Sequence, residues 1–280
     1  MNEQDPAPAV TRAAIEVDQQ PASYLTAGAG GPVVLLLHGT YWSRVWQPVL
    51  SPLAAAGLHP IAVDLPGLGR SGGELTPNTA TVPALAAWVA RFVSAVGVRE
   101  PVALGGHDIG GAIAQHLLIE NPFPISRLAL VNSVMYDSWP VPGVAKFQDP
   151  AVVAATTPSE LLEARRRAIA TALARPAPDE EISQYLDPWT DPRVRRSWMA
   201  LAGAADARYT VELVPALRES HTPKLLVWGE DDVFQKIGFA EKFAAEIPNT
   251  SLVRIPSAGH IPMENDPKAV AHALASFFLS

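Results

Sequence analysis

The 280-residue sequence contains no cysteine. That excludes disulfides, thiolate zinc sites, iron–sulfur clusters and a cysteine nucleophile, and it fits a reducing, cytoplasmic setting. Charge is also scarce: Asp, Glu, Lys and Arg make up 18% of the chain, with a formal net charge of −7. Nucleic acid and an anionic membrane surface are therefore not expected as partners. No apolar run reaches the roughly 18 residues of a membrane span. Residues 1–9 carry Glu3, Asp5 and two prolines where a signal peptide would have basic and apolar stretches, so a loose tail is expected there. No internal repeat, metal-ligand constellation, phosphate loop or dinucleotide fingerprint is found, and no cofactor is expected.

Apolar residues, at 48%, are plentiful enough for a sizeable core. Short Val/Leu/Ile-rich runs fall at 32–38, 60–64, 102–106, 127–132, 224–229 and 251–255. Near-continuous runs of this length are strands buried on both faces, hence a parallel sheet covered by helices. Helical patterns occupy 82–96, 110–121, 238–246 and 267–278. Between 134 and 221 the alternation breaks into a proline-rich stretch of helical periodicity without strands. Its Arg165-Arg166-Arg167 run reads as a solvated helix face. The expected architecture is an α/β core built from 1–133 and 222–280, with 134–221 as a helical cap over the carboxyl edge of the sheet. Ligands bind at that edge in open α/β sheets.

The chemistry centres on Leu104-Gly105-Gly106-His107-Asp108-Ile109-Gly110-Gly111. A strand runs into a glycine-flanked turn and a helix, so that Asp108 sits as G-x-D-x-G with its side chain forced outward. Taken alone, the pattern also fits an aspartate that caps a helix. Three further segments end strands: His38-Gly39-Thr40, Trp228-Gly229-Glu230-Asp231-Asp232 and Ser257-Ala258-Gly259-His260. The chain order is then nucleophile, acid, histidine.

With those pieces and Asp64-Leu65-Pro66-Gly67-Leu68-Gly69-Arg70-Ser71, the chain resembles the α/β-hydrolase superfamily from Gly31 to Phe278. Asp in place of Ser at the elbow resembles the branch of epoxide hydrolases and haloalkane dehalogenases. The resemblance implies a mostly parallel α/β-hydrolase fold with a helical cap. It also implies Asp108 as nucleophile, His260 as base and Asp232, with Asp231 as the neighbouring candidate, as the acid that orients it. The alternative acid position after the preceding strand reads Asn132-Ser133 and looks empty. Backbone N–H groups of Thr40 and Ile109 would form the oxyanion hole. His107 would pack behind the elbow.

Some positions depart from the branch. Haloalkane dehalogenases place Trp after the nucleophile and Asn after His-Gly as halide donors; here stand Ile109 and Thr40. Fluoroacetate dehalogenases carry Arg after the nucleophile, which Ile109 and Ile113 cannot replace. Epoxide hydrolases read His-Gly-x-Pro, where this chain has Tyr41, and use cap tyrosines; Tyr136, Tyr185 and Tyr209 are candidates. Epoxide hydrolysis through an aspartyl ester is the first expectation, with Trp42, Tyr136, Trp139 and Tyr209 lining the substrate site. The rivals are haloalkane dehalogenation and a non-hydrolytic cyclase or lyase using Asp108 and His260 as acid and base. Trp139, Trp189 and Trp198 could enclose an apolar substrate. A binding protein without turnover would need His260 turned away from Asp108. The partner expected is a small hydrophobic molecule, with a homodimer left open.

Overall fold

The computed structural model describes residues 7–280. Most of the expected loose tail, residues 1–6, lies outside the described residues. An eight-stranded sheet forms the centre. Its strands are β1 (Val10–Val17), β2 (Gln20–Ala27), β3 (Val33–Leu37), β4 (His59–Val63), β5 (Val102–Asp108), β6 (Ile125–Ser133), β7 (Lys224–Gly229) and β8 (Thr250–Ile255). They lie in the order β1-β2-β4-β3-β5-β6-β7-β8. From β4 to β8 every neighbouring pair is parallel, while β2 runs antiparallel to both β1 and β4.

The six apolar runs correspond to β3 through β8. The β1–β2 hairpin is the element they do not announce. Most of β1 is exposed or half-buried, so it carries no continuous apolar signal. Its turn uses Asp18 and Gln19, both at positive φ, without the glycine that marks such turns. Helices α1 (Gln47–Ala55), α2 (Val82–Val96), α3 (Ile109–Glu120), α11 (Ile237–Glu246), α12 (Pro262–Asn265) and α13 (Pro267–Phe278) cover the sheet. Two apolar clusters result, one on each side.

Between β6 and β7 come α4 (Pro142–Ala145), α5 (Pro150–Ala155), α6 (Pro158–Leu173), α7 (Asp179–Leu186), α8 (Pro192–Gly203), α9 (Arg208–Val211) and α10 (Val214–Glu219). Proline opens most of them, where its missing N–H costs nothing. Strand β3 has β4 on one side and β5 on the other, so the chain order reverses there. The carboxyl ends of β3 and β5 are therefore the switch point at which such sheets bind ligands. Both strands end at this point with the motifs singled out above, His38-Gly39-Thr40 and Asp108.

Close approach of β5 and α3 makes this junction possible. A Cβ on Gly106 would lie 2.5 Å from the Gly111 Cα, and one on Gly110 would collide with the Leu37 carbonyl of β3. These contacts are backbone to backbone, so no side chain can swing aside. Gly110→Ala should lower unfolding free energy by about 2–3 kcal/mol. Gly238→Ala in α11, where a Cβ meets nothing within 4 Å, should be neutral or raise it by about 0.5–1 kcal/mol. Denaturant melts of both variants check the pair; equal effects would contradict the packing account.

Candidate active site

Asp108 is the last residue of β5, with φ 54° and ψ −128°. A non-glycine residue in that conformation costs on the order of 1–3 kcal/mol and persists only where its surroundings dictate it. The geometry turns the side chain away from its own helix: Asp108 occupies the N-cap of α3 yet makes no capping hydrogen bond. Its carboxylate instead faces the β3 loop. Oδ2 accepts from the Thr40 N–H at 3.3 Å and from the Thr40 hydroxyl at 2.9 Å. The Ile109 N–H, the second oxyanion donor expected, opens α3 beside the carboxylate without a hydrogen bond to it.

A buried polar network holds the Thr40 loop. Leu65 N–H donates to His38 Nε2 at 3.1 Å, which leaves Nδ1 as the donor to the Gly39 carbonyl at 2.8 Å. Burial lowers the His38 pKa against the attraction of Asp64, in keeping with this neutral tautomer. Asp64, fully buried, accepts from Ser43 N–H at 2.7 Å, Arg70 N–H at 3.0 Å and Arg12 of β1 at 3.1 Å. The Asp64–Ser71 turn is thus a clamp on the loop that follows Thr40.

His260 follows β8 and is 3% exposed. Its Nδ1 donates to Asp232 Oδ2 at 2.8 Å, and its Nε2 lies 3.9 Å from Asp108 Oδ1. Asp232 is buried after β7, whereas Asp231 is exposed. Besides His260, Asp232 accepts from Asn132 Nδ2 at 2.8 Å and from the Phe234 and Gln235 N–H groups at 2.7 and 3.0 Å. The Asn132 position at the end of β6, which looked empty of an acid, therefore supplies a donor that holds one. His107 donates through Nε2 to the His260 carbonyl at 2.8 Å and packs under its ring. Burial pulls the His260 pKa down, but the charge and hydrogen bond of Asp232, with Asp108 behind them, outweigh it, so the net shift is upward. Burial would raise Asp232, yet His260 and the N–H donors hold it below the usual carboxylate value.

A cavity of about 490 Å³, open mouth included, lies above Asp108 and His260. Thr40, Ile109 and Trp139 line it with Tyr41, Val134 and Phe234. Three of the four residues expected at the substrate site lie elsewhere. Trp42 has φ 51°; its indole donates to the Tyr185 carbonyl and its ring lies under Arg12 and Arg70, outside the cavity lining. Tyr136 packs on Phe243 of α11 with its hydroxyl on Glu246; burial pushes its pKa up to about 12. Tyr209 sits on α9 against the apolar cluster. The remaining cap tyrosine, Tyr185, donates to Glu264.

The reading of the arginine run also needs correction. Arg166 and Arg167 are solvated, but Arg165 is only 7% exposed and lines the cavity. Its guanidinium lies over Tyr41, Trp189 and Trp198, so those tryptophans wall the arginine in; neither lines the cavity. The signal was present in the sequence. Leu161, Arg165, Ile169 and Leu173 are spaced by four along α6, and all are buried.

With this geometry in place, comparisons place the chain among known proteins. The profile of the alpha/beta hydrolase family matches residues 34–273. A haloalkane dehalogenase of Bradyrhizobium diazoefficiens is 30% identical over 279 residues, covering 90% of this chain and 88% of that protein. The solved haloalkane dehalogenase DbeA of Bradyrhizobium elkani has a TM-score of 0.82 at 23% identity, covering 96% of this chain and 97% of that one. For the epoxide hydrolase CorEH the values are 0.81, 24%, 97% and 99%. The last two likenesses speak to the fold. The chain belongs to the alpha/beta hydrolase family. It stands in the aspartate-nucleophile branch, dehalogenase-like, and is an enzyme of the hydrolase class.

The Asp232 contact makes a titration prediction. In the native protein the His260 ring should titrate above its ordinary 6.5. In Asp232→Asn the dominant upward influence is gone and burial remains, so the ring should titrate below that value. Because the neutral imidazole is the base, the acid limb of any activity should move down with it, at a rate reduced about 10²–10⁴-fold. NMR of the His260 ring protons checks the direction; an unchanged titration would refute the assignment of cause.

Proposed function

We propose that the protein hydrolyses a small, largely apolar substrate at an sp³ carbon through a covalent ester on Asp108. The observation that carries this reading is the row formed by Asp108, His260 and Asp232 on a strained strand-to-helix elbow. A carboxylate attacking an acyl carbon would give an anhydride, whereas attack on a saturated carbon with a leaving group gives a stable ester.

Thr40 engages Oδ2, so Oδ1 is the attacking atom. It forms the C–O bond as the electron pair of the broken bond departs with the leaving atom. His260 Nε2 then takes a proton from water, and the resulting hydroxide adds to Cγ of Asp108. The negative charge of the tetrahedral intermediate falls on Oδ2, where Thr40 donates, with Ile109 N–H as the second donor the family resemblance implies. One such donor is worth about 3 kcal/mol of barrier. Asp232 stabilises the imidazolium formed in this step. Collapse expels the alcohol oxygen, which takes a proton from His260.

An organohalide is the electrophile the site favours. No cap tyrosine lines the cavity to protonate an epoxide oxygen, and the 30% identical relative is a haloalkane dehalogenase. An epoxide is the second reading, favoured by Tyr41, whose phenol lines the cavity. Burial raises the Tyr41 pKa, which makes that phenol a reluctant acid.

His260→Ala should stop the cycle after alkylation, lowering turnover about 10³-fold or more. Intact mass after mixing with a primary bromoalkane, and in parallel with a terminal epoxide, should show one substrate fragment attached to Asp108. A single turnover of the native enzyme in heavy-oxygen water should label Asp108. Turnover without an adduct in the variant, or a single turnover that leaves Asp108 unlabelled, would overturn the ester; if the product then also lacks solvent oxygen, non-hydrolytic acid–base chemistry replaces this reading.

A further inference from the structure

The cavity holds a cation that the triad does not use. Arg165 is more than nine-tenths buried, lines the cavity with Asp108, and forms no ion pair among the described residues. Among the described residues its Nε has no hydrogen-bond partner. Three rings surround it, with centroids 5.6 Å (Tyr41), 5.2 Å (Trp189) and 4.9 Å (Trp198) from the guanidinium carbon. Rings compensate a buried guanidinium in part and leave the Nε donor unspent. An unpaired buried charge is costly, and polar groups left this way call for an explanation.

Displacement by a carboxylate supplies one. Before reaction the negative charge sits on Asp108; after it, Asp108 is a neutral ester and the charge is on the leaving atom. A fixed cation lining the same cavity gains interaction as the charge moves toward it, in a site of low dielectric. Among the other candidate donors, Ile109 has none in its side chain, the Thr40 hydroxyl is engaged on Oδ2, and the Tyr41 phenol lines the cavity beside Arg165 but carries no charge to meet a departing anion. We propose that Arg165 is a catalytic residue, the donor that receives the negative charge leaving the reacting carbon. The inference rests on the displacement reaction proposed above.

In that step the carbon–leaving atom bond breaks, the Asp108–carbon bond forms, the electron pair departs with the leaving atom and no proton moves. A guanidinium donates hydrogen bonds but keeps its protons at neutral pH. Arg165 therefore suits a group that departs as a stable anion, such as bromide or chloride, better than an alkoxide that must be protonated.

Two measurements test this, one of them independent of turnover. Iodide titration followed by tryptophan fluorescence should show a saturable component in the native enzyme, since Trp189 and Trp198 flank the site. Arg165→Gln should weaken it about tenfold or more, and Arg165→Lys less. In the His260→Ala background, Arg165→Gln should slow adduct formation with a primary bromoalkane about 100-fold or more, and with a terminal epoxide by less. Thermal melting of each variant beside the native enzyme establishes that it is folded. Equal iodide binding by the native enzyme and the Arg165→Gln variant, or equal alkylation rates, overturns the assignment. Displacement of iodide by acetate at lower concentration than by bromide also overturns it, because the site would then read a carboxylate carried by the substrate. Arg165-dependent iodide binding with no adduct from any probe upholds the anion site and condemns the displacement reaction instead.

Discussion

The site depends on one packing constraint, the close crossing of α3 over β5 that holds Asp108 at positive φ. Gly106 of β5 lets the α3 backbone approach at Gly110 and Gly111, and Gly110 in turn sits against the β3 backbone at Leu37. With the helix pressed this close, the Asp108 side chain leaves the helix axis and enters the space above the sheet. That orientation turns a helix-capping residue into a presented carboxylate. The strained conformation costs on the order of 1–3 kcal/mol, and the two apolar clusters flanking the sheet outweigh it. The same crossing sets the reach to His260, because β5 and the loop after β8 are fixed relative to one another by the ladder β5-β6-β7-β8.

Electrostatics then divide the labour between two carboxylates of the same chemical type. Asp232 is saturated with donors from His260, Asn132 and two backbone N–H groups, and it sits in a closed environment. Asp108 is partly exposed to the cavity and bonded only through one oxygen, to Thr40. One group is committed to orienting an imidazole; the other keeps an oxygen free. Desolvation would favour neutral forms throughout, and the Asp232–His260 contact reverses that balance locally.

Much of the core was legible in the sequence. Strands β3 to β7 are largely buried on both faces, so their apolar runs are nearly continuous, whereas the edge strand β8 is mostly half-buried or exposed and is marked by Leu252, Val253 and Ile255 alone. The β1–β2 hairpin was not legible, because an edge hairpin needs no continuous apolar run and its turn has no glycine. Helix α1 was obscured by Pro48 and Pro52, although one stands at its first turn. In the cap, composition revealed helices but not facing. Tyr136, Tyr185 and Tyr209 are chemically alike; Glu246 and Glu264, the partners of the first two, lie far away in sequence, and Tyr209 packs on the apolar cluster. Arg165 was misread for a different reason. A run of three arginines suggests a wet surface, while the spacing of four with Leu161 and Ile169 places the first of them inward. Periodicity outranks composition in that conflict, since a helix can turn only one stripe to the core.

The ion pair between Arg12 and Asp64 joins the edge of the sheet to its centre. Asp64 clamps the segment that carries Thr40, so strand β1 takes part in the geometry of the reaction from the far rim of the molecule. For anyone redesigning this chain, the hairpin is accordingly not a removable leader: a truncation or fused partner that disturbs Arg12 reaches the catalytic loop through a single buried carboxylate.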